Sequence, residues 1–251
     1  MPPTILFDNG THKNVLLEDV SSGLAVQANQ HVIVDGASGM ILDPGGHKVY
    51  SKVLAGTMTQ LGRAKLEKIF LSHQDPDIVA ATNGWLMTTD AMAYVSKLWI
   101  RFVPHFGLDH LVQDRLLPIP DQGMRLPLGN AEMLLLQAHF LHSCGNFHLY
   151  DPVSKILYSG DLGASIGGET LEVADFDAHL PSMEGFHKRY MAGSRALRAW
   201  VKMVRKLDVQ IIAPQHGALF RGPAMVERFL SWCESLQCGM DLLDDELQLP
   251  A

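Results

Sequence analysis

Short apolar runs punctuated by turn residues fill the first part of the chain. Thr4-Ile5-Leu6-Phe7, Val15-Leu16-Leu17, His31-Val32-Ile33-Val34 and Met40-Ile41-Leu42 are separated by Asp8-Asn9-Gly10, Ser21-Ser22-Gly23 and Asp35-Gly36. Strand-length runs broken in this way predict an antiparallel meander. Asp43-Pro44-Gly45-Gly46 closes the last of these strands, and Val53, Leu54, Met58 and Leu61 then recur at helical spacing, predicting a helix from about Tyr50 to Leu66. Lys68-Ile69-Phe70-Leu71 reads as the next strand, Val79 to Met87 as a helix and Ala91 to Val95 as a short strand.

Lys97 to Gln113 carries Trp99, Phe102, His105, Phe106 and His110, which could wall a pocket or fill the core under two short helices. Strand signals return near 115–119, 131–138, 147–150 and 155–159, with a turn at Tyr150-Asp151-Pro152. Gly163 to His179 lacks periodicity and is predicted to be a loop over the site. Met183 to Leu207 is predicted as the longest helix, with Phe186, Tyr190, Ala196, Leu197, Trp200, Val201 and Val204 as its apolar stripe. A strand at 209–213, a helix at 223–238 and an acidic tail from Asp241 to Glu246 follow.

Two stretches echo each other. Leu66 to His73 and Leu207 to His216 each run from a helix end through a buried strand to a histidine. With β runs before each set of helices, this predicts two βα halves packed sheet against sheet: an α/β (α+β) chain folded as a four-layer αββα sandwich over residues 1–251.

A chain of 251 residues, 47% hydrophobic and 19% charged, can bury a sizeable core. Its net charge of −7 argues against nucleic acid or an anionic membrane as partner. No charged, apolar leader opens the sequence and no run approaches the length of a membrane span, so the expected location is cytoplasmic. Three cysteines make no disulfide framework in a chain of this size.

Candidate chemistry concentrates in Leu71-Ser72-His73-Gln74-Asp75-Pro76-Asp77-Ile78, where one imidazole and two carboxylates lie within five residues. An extended loop would turn 73, 75 and 77 to one side, and Pro76 disfavours helix at Asp75; Asp77 as a helix cap is the plainer alternative. Three further apolar strands run into ligand-type residues: Met133–Leu136 toward His139 and His142, Lys155–Tyr158 into Ser159-Gly160-Asp161, and Val209–Ala213 into Pro214-Gln215-His216-Gly217. Groups placed outside the carboxyl ends of strands converge on one site in open α/β sheets.

The order His73-x-Asp75-x-Asp77, His142, Asp161, His216 resembles the metallo-β-lactamase superfamily, from about Val15 to Phe220. The hydrolytic members carry a histidine where this chain has Asp75. A carboxylate there is similar to the diiron branch, the flavodiiron oxygen and nitric oxide reductases, and above all to the stand-alone oxygen-binding diiron proteins; hard oxygen donors favour iron in its higher oxidation states. The resemblance assigns His73, Asp75, His142 and a bridging Asp161 to one metal, and Asp77, Asp161 and His216 to the other.

Two departures stand out. Asp75 is one methylene shorter than the family's glutamate, and Ile78 replaces a histidine ligand, which would leave an apolar wall beside the second metal. His148, His105 and His110 are the candidates to replace that ligand, and Tyr190 and His31 the candidates for supporting donors. The resemblance implies two iron ions (zinc in the alternative) without FMN in this chain, and a protein that binds or reduces dioxygen. It would work as an oxygen sensor with a signalling partner or as an oxidoreductase with a separate electron donor. A dinuclear zinc hydrolase is the alternative, and a homodimer is left open.

Overall fold

In the computed structural model, residues 2–17, 19–21, 26–166, 170–243 and 249 are described. The first sheet runs in chain order: β1 (Thr4–Asp8), β2 (His12–Leu16), β3 (His31–Asp35), β4 (Ser38–Leu42), β5 (Lys65–Phe70), β6 (Met92–Ser96) and β7 (Leu116–Ile119). β1 to β4 form the expected antiparallel meander, and β4 to β7 are parallel. Every residue of β3 and β4 is buried, because both faces of the sheet are covered.

The second sheet contains β8 (Met124–Leu128), β9 (Ala131–Gln137), β10 (Phe147–Asp151), β11 (Ile156–Tyr158), β12 (Ile211–Ala213) and β13 (Phe220–Arg221), in the order β13-β12-β11-β10-β9-β8. β11 and β12 are parallel, whereas β9, β10 and β11 alternate in direction. β9, β11 and β12 therefore all end on the same edge.

The helices are α1 (Tyr50–Leu61), α2 (Pro76–Val79), α3 (Thr82–Thr88), α4 (Phe176–His179), α5 (Glu184–Tyr190), α6 (Ser194–Val204) and α7 (Pro223–Ser235). Three apolar clusters define four layers. One packs Val53 of α1 and Trp85 of α3 on the first sheet; a second packs Leu197 and Val201 of α6 and Phe229 of α7 on the second. The third lies between the sheets, where Ile33, Met40 and Phe70 meet Met133, Phe147 and Leu149. Each fully buried side chain of this size contributes about 1.5–3 kcal/mol, and the αββα sandwich follows.

Several elements differ from the sequence expectation. α1 stops at Leu61, because Gly62 turns left-handed (φ 60°) and its N–H closes on the Met58 carbonyl; Lys65 and Leu66 then belong to β5. The expected helix 183–207 is interrupted at residues 191–193, giving α5 and α6, and that at 79–87 is split into α2 and α3. α4 lies within the expected loop 163–179. The aromatic segment forms two 3-10 turns, Val103–Phe106 and His110–Arg115. Residues 239–242 form another turn, while 244–246 of the acidic tail lie outside the described residues. Among the described residues no helix is long and apolar enough to cross a membrane.

Candidate metal centre

Five strand ends meet at one edge of the sandwich: Asp43 follows β4, His73 β5, His142 β9, Asp161 β11 and His216 β12. The two sheets are tied together there, since the Phe147 N–H of β10 donates to the Ser72 carbonyl at 3.0 Å. Gly160 adopts φ 50° between Ser159 and Asp161, a left-handed conformation that favours glycine.

Asp75 sits at the N-cap of α2, in extended backbone, yet its side chain caps nothing. One carboxylate oxygen accepts from Gln74 at 2.8 Å and the other lies 3.0 Å from His142 Nε2. His73, Asp75, His142 and Asp161 each offer a ligand atom, all within 4.8 Å of one another. Asp161 occupies the middle: Oδ1 is 3.8 Å from His73 Nε2 and 3.5 Å from His216 Nε2, and Oδ2 is 3.6 Å from His142 Nε2. Asp77 Oδ2 approaches His216 Nε2 at 3.5 Å on the more open side. The six residues singled out in the sequence are thus brought together.

Buried His73 Nε2 and Asp161 Oδ1 have no hydrogen-bond partner among the described residues. Orphaned lone pairs facing a cluster of carboxylates are what a cation would satisfy. The imidazoles are also oriented from behind: His216 Nδ1–H donates to the Gln27 carbonyl at 2.5 Å, and His73 Nδ1 faces Ser72 Oγ at 2.9 Å, so Nε2 of each is turned to the centre. Asn29 in turn holds the His216 turn by donating to the carbonyls of Pro214 and Gly217.

Electrostatics follow the same geometry. Burial alone would raise the Asp161 carboxyl, but His216, His73 and His142 outweigh it and hold the group at about 2. Burial alone would lower His216, and Asp161 outweighs it, raising the imidazole to about 9. Asp43 is pushed up to about 6, by burial above all, although it accepts the Ser72 N–H. A cavity of about 790 Å³ opens onto the cluster, with Val20, Val49, Ala80, Ile166, Phe186 and Tyr190 among its walls.

The supporting residues are rearranged relative to expectation. Ile78 does not wall the site: α2 begins at Pro76, which turns Ile78 into the apolar cluster under the first sheet, fully buried. His148 is buried close by, yet Trp200 donates to its Nδ1 and its Nε2 faces Asn146. His105 and His110 are exposed, and His139 meets the Asp121 carbonyl. His31 packs edge-on against Tyr158, with no hydrogen-bond partner among the described residues. Tyr190 does reach the centre, by stacking its ring on His142 (5.3 Å, 28°) together with Phe186.

Gln27, Asn29, Asp43, Ser72 and Phe186 were not singled out from the sequence. For Asp43 a signal existed, since Met40-Ile41-Leu42-Asp43 has the same strand-to-carboxylate form as the other motifs.

A two-sheet sandwich with a His/Asp cluster at its strand ends defines a metallo-β-lactamase-like protein. The family model described as "ODP family beta lactamase" matches residues 26–217, and the chain belongs to that family. It is 40% identical to chemotaxis sensor ODP in its peroxy diiron species, covering 96% of this chain and 98% of that one with a TM-score of 0.85. The apo state of the same sensor, from T. denticola, matches equally (40%, 96% of each chain, 0.85). Rubredoxin oxygen:oxidoreductase from Desulfovibrio gigas shares the fold at 13% identity (92% of this chain, 61% of that one, TM-score 0.77). An uncharacterized protein of Methanocaldococcus jannaschii is 19% identical over 81% of this chain, which spans about half of that relative's length.

Proposed function

We propose that this chain is a non-haem diiron protein that binds dioxygen and acts as an oxygen sensor. The observation that carries the reading is the carboxylate at position 75, hydrogen-bonded to His142 and facing His73 across from Asp161, in a chain 40% identical to a diiron chemotaxis sensor. His73, Asp75, His142 and Asp161 would hold one iron, and Asp161, Asp77 and His216 the other, with Asp161 bridging. Iron held by these residues would supply the electrons with which dioxygen is bound.

The chain's own residues supply the rest. Ser72 and Gln27 fix the imidazoles, Gln74 steadies Asp75, and the cavity, with Val20, Val49, Ala80 and Ile166 in its wall, leaves room for a small neutral molecule at the cluster. The carboxylate at 75 also disfavours a zinc hydrolase, whose sites are richer in imidazole.

Elemental analysis of freshly purified protein, followed by anaerobic reduction and stopped-flow mixing with dioxygen, tests the proposal. Two irons per chain and a new visible absorption on mixing are expected. Two zincs per chain and no spectral response would overturn it.

A further inference from the structure

Gln74 has a second partner besides Asp75, and it joins the two loops that carry ligands. The stretch 72–77 leaves β5 of the first sheet, whereas the stretch 138–146 joins β9 to β10 of the second. Ser143 Oγ–H donates to Gln74 Oε1 at 2.6 Å, and Gln74 Nε2–H donates to Asp75 Oδ1 at 2.8 Å. Only one orientation of the amide serves both neighbours. An ionised carboxylate only accepts, so the NH2 group must face Asp75, and the amide carbonyl then faces the hydroxyl.

Ser143 is itself fixed. It is buried, its carbonyl accepts from the Phe140 N–H at 2.9 Å, and its Oγ accepts from the Gly145 N–H at 3.3 Å. It thereby closes the turn in which Phe140 and His142 adopt left-handed backbone, at φ 67° and 72°, conformations costly for residues with side chains. The residue that holds the His142 turn is therefore the one that orients Gln74. A closed ring results, from His142 through Ser143, Gln74 and Asp75 and back to His142 by the 3.0 Å contact between Oδ2 and Nε2. That last contact differs from the others, because both of its atoms face the cluster: Asp75 Oδ2 is 3.6 Å from His73 Nε2, and His142 Nε2 is 3.6 Å from Asp161 Oδ2. A metal ion competes for both atoms and displaces their mutual hydrogen bond. The links from Ser143 to Gln74 and from Gln74 to Asp75 use Oδ1 and no imidazole, so they persist when metal binds. Asp75 also has a short side chain, with little reach to correct a misplaced backbone.

We propose that Gln74 and Ser143 are positioning residues of the metal centre: together they hold the two loops in register and turn the Asp75 carboxylate so that Oδ2 faces His73 and His142. The inference rests on the reading of the cluster as a metal centre, and not on the reaction with dioxygen.

The test titrates the full, metal-free chain with iron(II) under anaerobic conditions against a chromophoric chelator, and repeats the titration with zinc. Gln74→Leu, similar in size but without donor or acceptor, should weaken the position of His73, Asp75 and His142 about tenfold and leave that of Asp77 and His216 within about twofold. Ser143→Ala should cost about threefold alone and nothing further in the Gln74→Leu background, since it acts through Gln74. Ser143→Thr keeps the hydroxyl and should retain wild-type affinity. Circular dichroism and urea unfolding of the metal-free variants separate folding from binding. Lower stability with unchanged metal affinity, equal loss at both positions, or additive losses in the double variant would each overturn the proposal. Should Gln74→Leu not fold, Ser143→Ala and Ser143→Thr decide it, and equal affinities of these two overturn it. A wild-type chain that binds neither iron(II) nor zinc refutes the metal centre and the proposal with it. Metal binding without a spectral response to dioxygen refutes only the oxygen-binding reading, and the variant affinities still decide the roles of Gln74 and Ser143.

Discussion

Two clusters of histidine and carboxylate are buried between the sheets, at opposite ends of the strands, and they differ in one respect. At the end away from the metal centre, His12 Nδ1 meets Asp35 at 3.0 Å and Nε2 meets Asp151 at 2.7 Å. Asp151 also accepts from Asn14 and Ser154, and Asp35 from the N–H groups of Asn130 and Ala131. Both nitrogens of His12 and both carboxylates are thus served by protein groups. At the other end His73 Nε2 and Asp161 Oδ1 have no hydrogen-bond partner among the described residues. The same residue types therefore make a structural brace where the donors and acceptors match and a cation site where acceptors are in excess.

An orphaned nitrogen alone is not the criterion. Among the described residues neither nitrogen of buried His31 is bonded, but no carboxylate there faces it and burial lowers its pKa to about 3, so it stays a neutral core ring against Tyr158. What distinguishes the metal end is orphaned lone pairs together with several carboxylates.

The comparison breaks most visibly at the brace. His12→Ala leaves two buried carboxylates without their cation, and a loss of about 3–5 kcal/mol is expected in urea unfolding, with metal content per folded chain unchanged. At the metal end the pattern inverts: Asp161→Asn should weaken both metal positions by at least about 100-fold, read by elemental analysis after dialysis against a chelator. Asp77→Ala should empty mainly the position shared with His216, and equal loss from both positions would refute separate roles.

The two ends also respond differently to pH. At the brace, burial alone would lower His12, but Asp151 and Asp35 outweigh it and raise its pKa above the ordinary 6.5. Asp151 is held below the ordinary 3.8, because His12, Ser154 and Asn14 outweigh its burial. The His12 contribution is complete below 6.5 and lost as pH rises through the raised pKa; that of Asp151 is present above 3.8 and lost as pH falls through the lowered one. In the metal-free chain His216, raised to about 9, likewise stabilises fully below 6.5 and loses its contribution as pH climbs through about 9. Metal must displace that proton, so apparent metal affinity should rise about tenfold per pH unit across the window. Titrations with iron(II) in buffers of different ionisation enthalpy would count the proton released.

Legibility in the sequence follows the same divide between backbone pattern and tertiary partner. Strands running into His73, His142, Asp161 and His216 were readable because the pattern and the ligand lie together in the chain, and the αββα order was readable from the repeated strand-to-histidine step. β8 was not, since Pro127 interrupts its run; it is tolerated because β8 is an edge strand of its sheet. The break between α5 and α6 was hidden by apolar spacing that continues through it. It is held instead by Phe140, Met240 and Asp241, which bond to Ala192 and Ser194 from distant parts of the sequence. Ile78 was misplaced because an extended reading of 73–78 ignored the helix that Pro76 starts, which sends that side chain into the core.

The smallest expected effect concerns Tyr190, and it separates two ways in which an aromatic residue can serve a metal centre. Its hydroxyl has no hydrogen-bond partner among the described residues, whereas its ring lies 4.5 Å from Phe186 and 5.3 Å from His142, both near parallel. A ring stack of this kind is worth about 0.5–1.5 kcal/mol, and because Tyr190 is 52% exposed the lower part of that range applies. If the stack steadies His142, Tyr190→Phe should leave metal affinity unchanged and Tyr190→Ser should weaken it by about threefold. The brace at the other end should not notice either change, so urea unfolding of the metal-free variants should stay within about 0.5 kcal/mol of wild type. A loss in Tyr190→Phe as large as in Tyr190→Ser would instead assign the role to the hydroxyl, and His142 would then depend on a hydrogen bond rather than on the face of a ring.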